Sequence, residues 1–344
     1  MTRAILQEAT MKSDVLAGPV DSVYFGGGTP SLLEAEEISF MLEELGKIFD
    51  VSQHAEITLE ANPDDINIGD AALWKAAGIN RISLGIQSFS DEELLWMHRA
   101  HDSQKAIHSL HDLRQAGFEN ISADLIFGSP LSTEGSLKKN LDILLTQEIP
   151  HLSCYALTIE NGTPLKKRIE SGIEKPTDDD WQATQFLTIM EVLSQNDYEH
   201  YEISNFAKPG YRSRHNSSYW KGIPYVGLGP SAHSYDGERR RSFNVANNNI
   251  YLEKLTAGED PGEHEILSDK ELMNEFIMIH LRRMEGLDLN LFEERFGREA
   301  AARIEREAMP FIEAGRAIMK NRMMMLTRDG KLMADGMAAS LFSV

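Results

Sequence analysis

Between Ser22 and Ile203 the sequence alternates short apolar, β-branched runs with longer amphipathic segments, and this regular beat constrains the fold more than any other feature. Strands are expected at Ser22–Phe25, Glu56–Glu60, Arg81–Ile86, Ile121–Phe127, His151–Thr158 and near Tyr198–Ile203. Helices are expected at about Leu33–Ile48, Gly69–Ala77, after Ser90, and at Ser103–Ala116, Thr133–Thr146 and Asp180–Ser194. Short connections between such elements force right-handed parallel crossovers, which leaves a β/α barrel or a doubly wound sheet. Polar and glycine residues punctuate the C-terminal end of one strand after another: Gly26 to Thr29, Glu60 with Asn62, Gln87 with Ser88, Asp124 before Gly128, and Tyr155 with Ala156. A barrel gathers those ends on one rim, whereas a doubly wound sheet gathers ligand at a single switch point, so the barrel is favoured.

The first of these ends is the stretch Asp21–Ser31, where an apolar strand stops at Gly26-Gly27-Gly28. Glycine there permits positive φ and close approach of backbone to a bound group, although a tight strand-to-helix turn needs glycine whatever it binds. Glu60 reads either as a solvated strand end or as a ligand group, and Gln87 as a turn-bonding side chain or a contact. Asp124 is harder to explain as packing, because a carboxylate in an apolar strand is costly unless paired.

Composition narrows the function classes. The formal charge of −20 repels a phosphate backbone, so nucleic acid is not an expected partner. No apolar run reaches the length of a membrane span, and the charged opening residues carry no signal-peptide core, so the chain is read as cytoplasmic and not an integral membrane protein. The single cysteine, Cys154, excludes a disulfide within the chain and any site built on several of its thiolates.

Five ordered segments carry a family resemblance: Gly26-Gly-Gly-Thr-Pro-Ser31, Glu60-Ala-Asn-Pro63, Leu84-Gly-Ile-Gln-Ser-Phe89, Asp124-Leu-Ile-Phe-Gly128 and Gly227-Leu-Gly-Pro-Ser-Ala-His-Ser234. Over nearly its whole length the chain resembles the radical S-adenosylmethionine (SAM) family of oxygen-independent coproporphyrinogen III oxidases. His215-Asn-Ser-Ser-Tyr219-Trp220 is similar to the His-Asn-x-x-Tyr-Trp motif of its heme-chaperone branch, HemW. The resemblance implies SAM contacts from Gly27, Gly28, Thr29, Glu60, Gln87, Arg99, Asp124 and Ala156, although Arg99, within Met97-His-Arg-Ala-His101, reads equally as a surface helix arginine. It implies heme as a second cofactor, with His215 as tentative iron ligand, Tyr219 and Trp220 packing on the porphyrin, and His233 as a lining residue. It also implies a [4Fe-4S] cluster on a Cys-x3-Cys-x2-Cys loop ahead of the glycine triplet. Residues 1–20 contain no cysteine, and such clusters need thiolates, so the expectation is a partial β/α barrel lacking its first strand and assembling no cluster.

The segment Phe206–Trp220 has the composition of a long functional loop, and Arg239-Arg240-Arg241 is either a solvated turn or a seat for porphyrin propionates. His98, His101, His108 and His111 read as solvated helix faces, since no other ligand-type pattern accompanies them. From about Leu267 helices follow one another, at Lys270–Arg283, Leu289–Phe296 and Glu299–Ala314, before an expected hairpin around Arg328-Asp329-Gly330. The domain reading is therefore a barrel over residues 1–207, a loop-rich connection over 208–264 and a small winged-helix-like helical domain over 265–344. Three functions are compatible with this: a heme chaperone delivering heme to a membrane-bound acceptor protein, a coproporphyrinogen III oxidase, or a barrel without a cluster that binds nucleotide. This chain itself, without cluster cysteines, is not expected to be catalytic.

Overall fold

The structure, a computed structural model, describes residues 1–343. Two compact units share the chain, one comprising residues 1–24, 33–57 and everything from Ser213, the other residues 25–32 and 58–212.

The chain opens with α1 (Thr2–Met11), β1 (Val20–Phe25), α2 (Ala35–Ile48) and β2 (Val51–Ala61). The alternation continues through α3 (Ile68–Ala77), β3 (Arg81–Gln87), α4 (Asp91–Trp96), α5 (Ser103–Gln115), β4 (Asn120–Phe127), α6 (Glu134–Thr146) and β5 (His151–Ala156). After α7 (Pro164–Glu170) and α8 (Asp179–Gln195) come β6 (Glu199–Glu202) and β7 (Asn205–Ala207). Side-chain caps start these helices where expected: Asn67, Ser90, Asp102, Thr133 and Asp178 each accept a first-turn backbone N–H.

One seven-stranded sheet has the order β1-β2-β3-β4-β5-β7-β6. Pairing from β2 to β5 is parallel and sequential, giving a curled half-barrel, and β7 closes on β5 antiparallel. The register sets Glu60 beside Ser83 and Asp124 beside Ser153. Between them Ile82, Leu84, Ile86, Ile121, Ala123, Leu125 and Leu152 are fully buried. Each large aliphatic chain so placed contributes roughly 1.5–3 kcal/mol.

In the other unit, α9 (Arg214–Trp220) leads to a three-stranded antiparallel sheet of β8 (His233–Tyr235), β9 (Arg240–Asn244) and β10 (Gly262–Ile266), with α10 (Asn248–Thr256) between the last two. Here α1 is anchored through Glu8, a carboxylate with no exposed surface. Its Oε1 accepts from Lys12 Nζ and Asn244 Nδ2, both at 2.6 Å, and its Oε2 from Gly229 N–H at 2.8 Å and Tyr251 hydroxyl at 2.6 Å. The Gly227-Leu-Gly-Pro turn is thus a structural seat, and a Cβ on Gly227 would lie 2.1 Å from His233 O.

The chain ends with α11 (Asp269–Arg282), β11 (Leu287–Asp288), α12 (Leu289–Phe296), α13 (Arg298–Glu313), β12 (Ala317–Lys320), β13 (Met323–Leu326), α14 (Arg328–Lys331) and α15 (Ala334–Ser340). Phe276, Ile277, Leu281, Phe292, Ile304 and Met337 form the centre of a core of its own. No helix among the described residues is long and apolar enough to cross a membrane.

Two local expectations are corrected. The hairpin turns at Asn321-Arg322, both with φ near +55°, while Arg328-Asp329-Gly330 lies in α14, where Gly330 packs on Arg316 backbone. A turn of this kind takes consecutive positive φ values, which Asn accepts, so Asn321 rather than Gly330 carries the signal. The expected loop Phe206–Trp220 contains the end of β7 and the helix α9, because Ser213 caps the helix and a distant carboxylate takes its remaining N-terminal donors.

Candidate functional site

The residues singled out in the sequence fall into two groups, one in each unit. On the strand ends of the parallel sheet, Gly27 and Gly28 take φ of 73° and 71°, a left-handed backbone with open space on the Cβ side. Gly27 N–H donates to Glu60 Oε2 at 3.1 Å, which ties the glycine turn to the end of β2. Thr29 follows, half-buried, before the 3-10 turn Pro30–Leu32. Gln87 ends β3 at φ 68°, a conformation costing a non-glycine residue on the order of 1–3 kcal/mol and characteristic of functional strand ends.

Arg99, expected either on a helix surface or at the ligand, turns inward: Nη2 donates to Asn62 Oδ1 at 2.6 Å and to Gly85 O at 3.5 Å. Its buried Nε has no hydrogen-bond partner. On β4, Asp124 Oδ1 is likewise buried and unpartnered. Burial pushes the Asp124 carboxyl up to about 7, opposed by the Ser153 hydroxyl, reinforced by the charge of Glu60 and opposed again by Arg81. Ala156 ends β5, exposed beside the exposed Tyr155. This rim offers an unpaired acceptor, an unpaired cationic donor and a glycine cradle, a set that fits a zwitterionic nucleoside such as SAM.

The thiol set does not fit a [4Fe-4S] cluster. Cys154 is the only cysteine of the chain, it is buried in β5, and burial together with Asp124 raises its thiol well above the ordinary range, so it stays neutral.

His215 begins the second group, in the first turn of α9. Its Nδ1 lies 3.2 Å from Ser22 Oγ and its Nε2 3.0 Å from the Tyr219 hydroxyl. Its ring stacks on Tyr24 with centroids 4.5 Å apart and meets Tyr219 edge-on at 5.0 Å. Burial holds the imidazole down to about 4, with Glu56 pulling the other way, so at neutral pH the ring is uncharged, the form that binds iron. The Tyr219 hydroxyl is pushed up to about 12 by burial and stays protonated. Trp220 follows with a buried indole Nε1 that has no acceptor. These features fit heme: a neutral imidazole, adjoining aromatic faces and an orphan N–H.

His233 stands apart from this constellation, exposed on β8 with its ring tilted against Phe243 at 6.1 Å. Arg239 and Arg241 are already paired, with Asp269 and Glu275 respectively. His98, His108 and His111 are exposed, but His101 is not: it is buried, with Nε2 3.0 Å from Ile86 O, because the chain leaving α4 folds it back over β3. Asn62, marked in the sequence beside Glu60, meets Arg99, whereas Ser22, Tyr24 and Glu56, which surround His215, were not legible as site residues. Nothing in their own segments marks them, since their partners lie far away in sequence.

A family model described as the radical SAM superfamily matches residues 2–144, and one described as the HemN C-terminal domain matches residues 267–333. Across 99% of the chain the structure superposes on 82% of coproporphyrinogen III oxidase (HemN) from Escherichia coli, described as a radical SAM enzyme, with a TM-score of 0.83 at 21% identity. That likeness establishes the fold. Heme chaperone HemW of Mycobacterium tuberculosis is 34% identical over 340 residues, covering 98% of this chain and 84% of the relative. The HemW proteins of Lactococcus lactis (34%, 80% of this chain and 72% of the relative) and Bacillus subtilis (30%, 91% and 83%) are similar. The chain therefore belongs to the HemW family of heme chaperones, on a radical SAM scaffold.

Proposed function

We propose that this chain binds heme through His215 and passes it to an acceptor protein, with SAM held on the rim of the parallel sheet. The observation that carries the heme reading is the state of the His215 imidazole: neutral, stacked on Tyr24, and with Nε2 engaged by a single phenol that a ligand can displace. In the tautomer where Nδ1–H donates to Ser22 Oγ and the Tyr219 hydroxyl donates to Nε2, the Nε2 lone pair is the one available to iron. Tyr219, once displaced, and Trp220, with its unpaired N–H, offer an aromatic face and a donor to the porphyrin. The acceptor expected for this branch is membrane-bound.

Glu60 and Asp124 complement the hydroxyl and ammonium donors of SAM, and Arg99 complements its carboxylate. Where bound, SAM supplies a sulfonium centre; Gly27 and Gly28 allow the backbone to approach it.

The test is a heme titration of the folded chain, with circular dichroism as the check on folding. Wild type should give a Soret band and the optical features of imidazole-ligated heme. His215→Ala should shift or abolish them. Equal spectra for both proteins would overturn the reading.

A further inference from the structure

We infer that Glu56 is the residue that positions the His215 imidazole for an iron-porphyrin, a role that rests on the heme reading and lies outside the His-Asn-x-x-Tyr-Trp segment. Glu56 sits on β2, only 6% exposed, more than 150 residues before α9. Its Oε1 accepts from His215 N–H at 3.0 Å and from Ser213 Oγ at 3.4 Å, and its Oε2 accepts from Arg214 N–H at 3.1 Å.

The helix α9 has 7 residues, too few to persist without tertiary support. Its first N–H groups have no partners inside the helix, and a carboxylate at that end satisfies them and the helix dipole together. Ser213 Oγ takes the N–H of Asn216 and completes the cap. The neighbouring strand completes the imidazole: β1 supplies Ser22 to Nδ1 and Tyr24 to the ring face. Glu56 therefore fixes the backbone of His215 against the strands that orient its side chain. A ring anchored at its own N–H, at Nδ1 and on one face has Nε2 aimed in one direction, toward Tyr219 in this structure. Groups that orient a metal-binding histidine from the second layer typically change metal affinity by about 10–100-fold when removed.

The experiment compares Glu56→Ala, Glu56→Gln and His215→Ala as full chains, using heme as the probe. Melting temperature and circular dichroism establish folding, and optical and electron paramagnetic resonance spectra report axial ligation. Glu56→Ala should weaken heme binding by about tenfold or more and lose the single imidazole-ligated species in favour of mixed ligation states. Glu56→Gln keeps the side chain's shape and one acceptor oxygen, so an intermediate loss is expected. If Glu56→Ala does not fold, Glu56→Gln decides alone. Unchanged spectra in the folded Glu56 variants, with ligation lost in His215→Ala, overturn this inference and leave the heme reading standing. Unchanged spectra in His215→Ala as well overturn both.

Discussion

The rim of the parallel sheet and the His215 helix solve the problem of holding a ligand in opposite ways. On the rim, the candidate groups come one or two at a time from the ends of successive strands, and several are left unsatisfied: Asp124 Oδ1 and Arg99 Nε have no partner. Around His215 the groups come from one turn of α9 and from β1 and β2, and the residue is engaged at both ring nitrogens, on its ring face and at its backbone N–H. The first arrangement leaves polar atoms for the ligand to satisfy. The second must give up a hydrogen bond, from Tyr219, before iron can bind. Unsatisfied buried groups suit a ligand recognised by many polar contacts, and a pre-aimed neutral ring suits one held by a single strong bond.

The comparison can be broken from outside either group. Glu8→Ala should have the largest effect, because it strips a buried carboxylate from Lys12, Asn244, Tyr251 and Gly229. A loss of roughly 3–5 kcal/mol in urea unfolding is expected, and a change under about 1 kcal/mol would show that the network is not the anchor of α1.

The next effect sharpens it. Asp124→Ala and Glu60→Ala should each weaken SAM binding about tenfold, as the loss of a charge-assisted hydrogen bond predicts, and leave the heme titration unchanged. His215→Ala should do the reverse. Calorimetry in which one substitution disturbs both ligands would show that the two groups are not separable.

A smaller effect distinguishes the rim by pH. The Asp124 carboxyl is raised to about 7 in the fold by burial, above the ordinary carboxylate value, so the folded state holds its proton more tightly than the unfolded chain. The resulting stabilisation is complete below the ordinary carboxylate range and is lost as pH rises through about 7. Wild type should lose more stability than Asp124→Asn between pH 5.5 and 8 (roughly the window over which a group titrating near 7 changes charge). Parallel stability curves would contradict the assigned burial. The smallest effect belongs to the exposed His108 and His111: alanine at either position should leave stability within about 0.5 kcal/mol and both titrations unchanged.

Much of the second unit was legible because its signals are local. Ser90 marks a helix start, and buried apolar runs mark β3 and β4. The Met97-His-Arg-Ala-His101 segment was only half legible. Arg99 was weighed both ways and turns inward, whereas His101 reads as a surface residue and is buried. Polar composition concealed α9, whose first donors are taken by Glu56 of β2 and by Ser213.

Local signals in the chain set the parallel β/α architecture and the positions of the strand-end residues, whereas the helix that puts Tyr219 one turn from His215 was read as loop. The first two follow from periodicity, capping and glycine chemistry, all of which act over a few residues. Tertiary structure alone decided which charges are buried and what they hold: Glu8 under Gly229 and Tyr251, Glu56 at the head of α9, and Asp124 with an oxygen left open. A glutamate in a helix or strand looks the same in sequence whether it faces water or four donors. Burying its charge is tolerable only when those donors arrive, and apart from Lys12 they come from segments more than a hundred residues away.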